Sequence, residues 1–174
     1  HLLIGTRNGG LNILKLATGN IWQMKHVPGD GQFTVPGNNI NRLYTDRYDN
    51  VLMGIVDHGL VSLRAVFLRS YTSLYAGFGK GPLGNSITCF FPQGDYVWIG
   101  TADGGLNRMR PSDNTFVSYP STKDMFIFSI TDFAPGKLLI SVVNQGMFVF
   151  DTATGQTTPF LLRNVQLNTY TFHY

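Results

Sequence analysis

The sequence predicts an all-β protein, a β-propeller made of about four four-stranded antiparallel blades. The first observation is the composition, because the 174 residues include no glutamate and only six alanines. Strong helix formers are therefore scarce, whereas the β-branched and aromatic residues that favour strands are common. The second observation is the 20 glycines, which suit tight turns and crowded strands. The third is an internal repeat of 41 to 49 residues, a period typical of propeller blades.

The repeat is marked by a glycine that precedes a hydrophobic segment. It occurs in LLIGTRNGGLNILKL (2–16), LMGIVDHGLVSLR (52–64), VWIGTADGGLNRMR (97–110) and LLISVVNQGMFVF (138–150). The marker glycines of these four segments are Gly10, Gly59, Gly105 and Gly146. A second register, at Ile40–Leu43, Ile87–Phe90 and Ile127–Ile130, lies upstream of the last three. Because the two registers advance together, they indicate a structural repeat.

Each repeat can be divided into four strands. An apolar stretch (40–45, 86–91, 126–132) is predicted to form the inner strand, and a short turn leads to a hydrophobic second strand. A tight polar turn such as Asp103–Gly105 then allows the positive φ of a hairpin. An alternating third strand follows. A turn such as Ala17–Asn20 or Ala153–Gln156 then leads to the fourth strand, at 21–26, 115–119 or 157–162.

The blade boundaries follow from this division. We expect one β-propeller segment over 1–174, with a partial blade at 1–37 and further blades at 38–84, 85–124 and 125–163. The first blade lacks a preceding inner strand, and the last ten residues, VQLNTYTFHY, alternate like a spare strand. Residues 164–174 either begin a further blade or close a four-bladed ring. Propellers usually have four to eight blades, and we favour an arc of a larger, seven-bladed type of ring.

Several function classes have little support. The 13 basic residues are scattered singly and give a net charge of only +3, which argues against nucleic-acid binding. No apolar run reaches the length of a membrane helix, so we expect no direct membrane insertion of this segment. The four histidines are isolated and the single cysteine, Cys89, is expected to be a buried apolar residue. We therefore predict no metal site, no cofactor and no catalytic residue.

The candidate ligand-binding residues lie in the turns between the second and third strands. Such turns occupy corresponding positions in every blade, so their side chains should gather at one end of the propeller, where propeller loops commonly bind ligands. Their mixture of nitrogen and oxygen groups suits the hydroxyls of a sugar. The alternative is that Asn and Asp are present because tight turns favour them. The candidates are Arg7, Asn8, Asp57, His58, Asp103, Asn144 and Gln145.

Two of the repeats resemble a known family. Val97–Thr101 followed by Gly104–Arg108, and Leu3–Thr6 followed by Gly9–Asn12, closely resemble the two-component regulator propeller repeat. The repeats at 52–64 and 138–150 depart from that pattern. The resemblance implies a non-catalytic piece of a periplasmic sensor whose parent is a hybrid two-component histidine kinase of Bacteroidetes, anchored in the inner membrane. It also implies an oligosaccharide ligand, with the rest of the sensor chain or a second copy as partner.

Two other functions remain open at the level of the sequence. The propeller could be a scaffold whose binding surface faces another protein. It could also be an enzyme similar to the streptogramin lyases, which use propeller repeats of this kind. That second alternative requires a catalytic histidine beside acidic groups, and His58 is the one candidate.

Overall fold

The structure, a computed structural model, describes residues 1–29, 34–64, 67–73 and 79–161. In these ranges the regular structure is mostly β-strand, with a 3₁₀ turn at Pro120–Thr122. The strands are β1 (Leu2–Gly5), β2 (Leu11–Leu14), β3 (Ile21–Met24), β4 (Ile40–Thr45), β5 (Val51–Ile55), β6 (Gly59–Arg64), β7 (Phe67–Tyr71), β8 (Ile87–Gln93), β9 (Tyr96–Thr101), β10 (Leu106–Arg110), β11 (Thr115–Ser118), β12 (Ile127–Ala134), β13 (Lys137–Val142), β14 (Gly146–Asp151) and β15 (Thr157–Pro159).

The strands form four antiparallel sheets, each of which follows the chain order. The first sheet has the order β1-β2-β3, and the others have the orders β4-β5-β6-β7, β8-β9-β10-β11 and β12-β13-β14-β15. This confirms the predicted all-β fold. The first sheet has three strands because no described residue pairs with the free edge of β1. The proposed strand at 164–174 lies outside the described residues, and the blade boundaries stay a prediction.

The hydrophobic core lies between successive sheets. Leu11 of the first sheet packs in one cluster with Ile40, Met53, Ile55 and Val61 of the second. A second cluster joins the second and third sheets, and a third cluster joins the third and fourth sheets. Three clusters therefore hold four sheets in an open row within the described parts of the chain. Stacking of this kind buries the sheet faces, which explains how strands with few charges form a folded protein.

A glycine in the second strand accommodates an isoleucine from the inner strand of the next sheet. A Cβ atom added to the glycine would lie 2.7 Å from Ile40 in the first pair and 2.6 Å from Ile87 in the second. In the third pair it would lie 2.9 Å from Cγ2 of Ile127. The sheets therefore approach more closely than an alanine would permit. The pairs are Gly5 with Ile40, Gly54 with Ile87, and Gly100 with Ile127.

Hydrogen bonds between inner strands reinforce this stacking. The Asn41 side chain donates from Nδ2 to the Ile87 carbonyl oxygen at 2.9 Å. One sheet further along, the Thr88 hydroxyl donates to the Ile127 carbonyl oxygen. Each donor directly follows the isoleucine that packs on the preceding glycine, so the repeat carries both an apolar contact and a polar one. A buried backbone carbonyl is satisfied in each case.

The four marker glycines adopt the conformation that their turns require. Their φ angles are positive, between 66° and 87°. In three of them an added Cβ would also collide with a backbone oxygen, that of Met24, Tyr71 or Thr122. Only glycine fits such a position without strain. The hairpin geometry expected from the repeat is therefore present in all four sheets.

Candidate functional site

The turns between second and third strands form one end of the arc, which we call the turn end. It comprises residues 6–10, 56–58, 102–105 and 143–145, one segment from each sheet. The chain segments that connect successive sheets reach the same end, because each enters the inner strand there. One of them, residues 37–39, contacts the first two turns, and another, residues 84–86, contacts the second and third turns.

The 84–86 connector ties two turns together by hydrogen bonds. The Gly59 amide donates to the Asn85 carbonyl oxygen at 2.9 Å. On the other side, the Asp103 carboxylate accepts from the Asn85 amide at 3.1 Å and from the Ser86 amide at 3.0 Å. The 37–39 connector does the same for the preceding pair of turns, since Gly10 donates to Asn38 and Val56 donates to Asn39, each at 3.0 Å. Adjacent turns therefore have a fixed spacing.

Asn38 and Asn85 are the residues that organise the two connectors. The Asn85 Oδ1 atom accepts from the Ser73 amide at 2.8 Å, and the Asn38 Oδ1 atom accepts from the His26 amide at 2.7 Å. Asn38 also donates from Nδ2 to the His26 carbonyl oxygen at 3.0 Å. Each asparagine thus attaches the end of one sheet to the start of the next. Sequence reasoning missed them, although the repeated G-N-x-I pattern at 37–40 and 84–87 was a usable signal.

The third connector, before β12, uses different chemistry. Met125 occupies the position of the two asparagines, and the chain forms the 3₁₀ turn at Pro120–Thr122 instead. The Thr122 hydroxyl accepts from the Leu106 amide and donates to the Tyr119 carbonyl oxygen, both at 2.8 Å. A hydroxyl at another place in the chain therefore replaces the asparagine amide, and this explains why the connector sequences do not match across all sheets.

The structure places all seven predicted residues on exposed positions of the turn end. Two of them, Asp57 and Asn144, have φ angles of 62° and 61°. Asp and Asn tolerate this left-handed conformation better than most residues. Their presence is therefore explained by turn geometry, whether or not they also contact a ligand.

Asp103 and His58 have structural partners within the turn end. The Asp103 carboxylate caps the amides of the 84–86 connector, as described above. The His58 ring donates from Nδ1 to the Val56 carbonyl oxygen at 2.9 Å and lies against Gly37, where a Cβ would come 2.9 Å from the same nitrogen. This bond holds the imidazole in one orientation and directs it at the connector. Among the described residues, His58 forms no ion pair with an acidic side chain.

Arg7, Asn8 and Gln145 extend this exposed polar surface. They belong to the first and fourth turns, at the two ends of the row of sheets. The described ranges contain no group of three or more His, Cys or Asp side chains able to hold a metal ion. Within the same ranges, no helix has the length and apolar character needed to cross a bilayer.

Stacked antiparallel sheets with turns gathered at one end define the chain as a segment of a β-propeller. No protein-family model and no curated protein matches the sequence. Solved structures do share the fold. The extracellular domain of a protein assigned to a hybrid two-component system in B. thetaiotaomicron superposes with a TM-score of 0.76 at 17% identity, over 91% of this chain and 23% of that one.

Two other solved structures show the same arrangement. The extracellular domain of a protein assigned to a one-component system in B. thetaiotaomicron matches with a TM-score of 0.62 and 20% identity, over 90% of this chain and 21% of that chain. PorZ, a surface component of the type-IX secretion system of Porphyromonas gingivalis, matches with a TM-score of 0.60 and 13% identity, over 84% of this chain and 19% of that chain. At these identities the similarity concerns the fold. The chain spans less than a quarter of the length of each.

Proposed function

We propose that this chain is a non-catalytic segment of an extracytoplasmic sensor propeller that binds an oligosaccharide at its turn end. In this proposal the sensor belongs to a hybrid two-component system, resides in the periplasm with its parent anchored in the inner membrane, and passes the binding event to a histidine kinase. The fold similarity to extracellular domains assigned to bacterial signalling systems supports this context. The family resemblance of the repeats at 2–16 and 97–110 supports it independently.

The observation that carries the proposal is the combination of exposed polar side chains with a rigid base. Arg7, His58 and Gln145 are exposed on turns, while Asn38, Asn85 and Asp103 hold the connectors beneath them. A preformed set of donors and acceptors binds a hydroxylated ligand with a smaller loss of conformational entropy than mobile loops would. A guanidinium, an imidazole and an amide together can serve both the donor and acceptor sides of sugar hydroxyls.

Isothermal titration calorimetry with a panel of neutral and acidic oligosaccharides tests the proposal. We expect one class of glycan to bind, and Arg7→Ala and His58→Ala to weaken that binding by roughly tenfold each, the effect of losing one charged or well-placed hydrogen bond. Arg47→Ala is the matched control, because Arg47 lies in a turn at the opposite end and pairs with Asp95. Flat titrations for the whole panel, or equal losses in the control, would contradict the proposal.

A second candidate function, a scaffold that associates through a sheet face, is favoured by the first sheet. Leu2, Ile4 and Ile21 expose 47%, 38% and 63% of their surface on the side of this sheet that faces away from the second. An apolar surface of this kind is typical of an interface, and its partner would be the rest of the sensor chain or a second copy. Sedimentation velocity would show concentration-dependent self-association if a second copy covers this face. A strict monomer at all concentrations would exclude a second copy as the partner.

A further inference from the structure

A polar cavity lies between the second and third sheets, away from the turn end. It has a volume of about 250 Å³ and opens at the end of the sheets opposite the turn end. We call it the interblade pocket. Its lining residues come from β6, β7, the turn before β5 and the turn between β10 and β11: Asn50, Ser62, Arg64, Arg69, Tyr71, Pro111, Ser112 and Asn114.

The strand register explains why two arginines share this pocket. Ser62 pairs with Arg69 across β6 and β7, and Arg64 lies two residues beyond Ser62 on the same face of β6. Tyr71 lies two residues beyond Arg69 on β7, with its ring 5.0 Å from that of Phe116 in the third sheet. Because residues two apart on a strand point to the same side, this face of the second sheet presents both guanidinium groups towards the third sheet.

Neither arginine is neutralised by a carboxylate among the described residues. The two ion pairs in that part of the chain are Arg47–Asp95 and Arg110–Asp113. Asp113 belongs to the turn beside the pocket, but its carboxylate accepts from the amide and hydroxyl of Thr115 and pairs with Arg110. Asp46, behind Asn50, is occupied by the amides of Tyr48 and Asn50 and by the Asn50 side chain. The pocket therefore has a local positive charge.

The remaining walls supply hydrogen-bonding groups with fixed positions. Tyr71 donates its hydroxyl to Asn114 Oδ1 at 2.7 Å, which orients the side-chain amide of the turn. Burial raises the pKa of the Tyr71 hydroxyl, with Arg69 opposing the shift, so the phenol keeps its proton at neutral pH. Ser62 exposes only 8% of its surface, and no hydrogen bond is formed by its hydroxyl among the described residues. A hydroxyl at a cavity wall that has no protein partner is available to a bound molecule.

The size and lining together indicate a class of ligand. A water molecule occupies about 30 Å³ of liquid, so the cavity holds more than a single small ion. Paired guanidinium groups favour a carboxylate, sulfate or phosphate, which they bind by charge-assisted hydrogen bonds. The serine, asparagine and tyrosine groups suit hydroxyls rather than an apolar chain. We propose that the interblade pocket binds a small hydroxylated molecule carrying an oxyanion, such as an acidic monosaccharide.

The test uses galacturonic acid as the probe, with galactose and inorganic sulfate as comparison ligands. We expect galacturonate to bind, galactose to bind at least tenfold more weakly, and sulfate alone to bind more weakly than galacturonate. Arg64→Gln and Arg69→Gln should each weaken galacturonate binding by roughly tenfold, the effect of losing one charge-assisted hydrogen bond. Arg47→Gln removes the same charge outside the pocket and should leave the Kd unchanged.

NMR chemical-shift changes of the backbone amides show where galacturonate binds. They distinguish binding in the interblade pocket from binding at the turn end. Galacturonate should shift the amides of Ser62, Arg69 and Asn114, while shifts confined to residues 6–10 and 56–58 would assign it to the turn end and overturn the pocket. Equal affinity for galacturonate and galactose would also overturn it. Sulfate binding as tightly as galacturonate would show that the pocket recognises the free oxyanion and would overturn the sugar component. Failure of the oligosaccharide titrations at the turn end has no bearing on these results.

Discussion

Gly100 and Ile127 lie in direct contact across the boundary between the third and fourth sheets. A Cβ atom at position 100 would come 2.9 Å from Cγ2 of Ile127 and 2.5 Å from Sγ of Cys89. The same relationship joins Gly5 to Ile40 and Gly54 to Ile87. The contact is therefore a repeated element of how the sheets stack, and its disruption should have a measurable cost.

Substitution of Gly100 should destabilise the protein without changing its fold. Overpacking in a dense core typically costs about 1–3 kcal/mol, and we expect Gly100→Ala to lower the free energy of unfolding within that range, measured by urea denaturation. Cys89→Ala removes the nearest obstructing atom. The double variant Gly100→Ala/Cys89→Ala should therefore lose less stability than the sum of the single variants, whereas strict additivity would contradict the packing argument.

The two connector asparagines should respond differently to the same substitution. Asn85→Asp keeps the oxygen that accepts from the Ser73 amide, so we expect only a small loss of stability. Asn38→Asp removes the Nδ2 donor to the His26 carbonyl oxygen as well. This bond is half-buried, and a fully buried unsatisfied partner costs about 1–3 kcal/mol, so we expect Asn38→Asp to lower the free energy of unfolding by about 1 kcal/mol.

Thermal denaturation of both aspartate variants measures this difference. Asn38→Ala and Asn85→Ala, which remove the side-chain hydrogen bonds of these residues, serve as the reference pair, and amide exchange at Ser73 should accelerate in Asn85→Ala. Equal effects of Asn38→Asp and Asn85→Asp would show that the Nδ2 bond contributes nothing.

Alanine variants of Asp103 and Arg7 should distinguish a residue with a structural role at the turn end from one that is available for ligand binding. Asp103→Ala removes the acceptor for two backbone amides and should cost about 1–2 kcal/mol of unfolding free energy. Arg7→Ala, on an exposed turn, should change stability by less than about 0.5 kcal/mol. Chemical denaturation of the two variants tests this, and a stable Asp103→Ala would mean that its carboxylate is free for a ligand.

The single thiol should be poorly reactive in the folded protein. Burial raises the pKa of the Cys89 thiol to about 11, although hydrogen bonding to the Gly100 backbone lowers it in part. The thiolate is the reactive form, so labelling by a disulfide reagent at pH 8 should be much slower in the native protein than in guanidinium chloride. Similar rates in the two conditions would contradict the assignment.

The same shift predicts how stability depends on pH. An unfolded thiol ionises near pH 8.5, whereas the folded one does so only near pH 11. The folded state therefore holds this proton more tightly. The contribution of Cys89 to the free energy of unfolding is therefore complete below about pH 8.5 and decreases as the pH rises towards 11. Urea denaturation between pH 7 and 10 should show that the free energy of unfolding decreases with pH, and that this decrease is smaller in Cys89→Ala.

The sequence predicted the repeated parts of the structure well, because they follow from local rules. Gly10, Gly59, Gly105 and Gly146 mark hairpins, and the isoleucines at 40, 87 and 127 mark inner strands, so the order of the strands could be derived. The inner strand β4 has the predicted bounds, while β8 and β12 begin one residue later than predicted and extend two residues further.

The parts that could not be predicted depend on contacts between sheets. Asp103 stays a ligand-binding candidate, but its hydrogen bonds to amides 17 and 18 residues away could not be derived from the sequence of the turn alone. The interblade pocket is formed by Arg64 and Arg69 in one sheet and Asn114 in the next. Arg69 lies in the stretch 65–83 that does not follow the repeat, where periodicity gives no information about side-chain direction.

The stacking of glycine against isoleucine also gives the row of sheets a direction. The second and third sheets each present a glycine on one face and an isoleucine on the other, so the contact is head-to-tail and a sheet turned around could not pack in the same way. A head-to-tail contact repeated at a constant angle determines how many units complete a circle. In the fourth sheet, Ser141 occupies the position of the glycine. Phe128 follows Ile127, at the position that Asn41 and Thr88 occupy after their isoleucines in the earlier sheets. A sheet that packs on that side would therefore need a contact surface different from the one that the first three sheets share. The fourth sheet thus selects its neighbour instead of repeating the earlier contact.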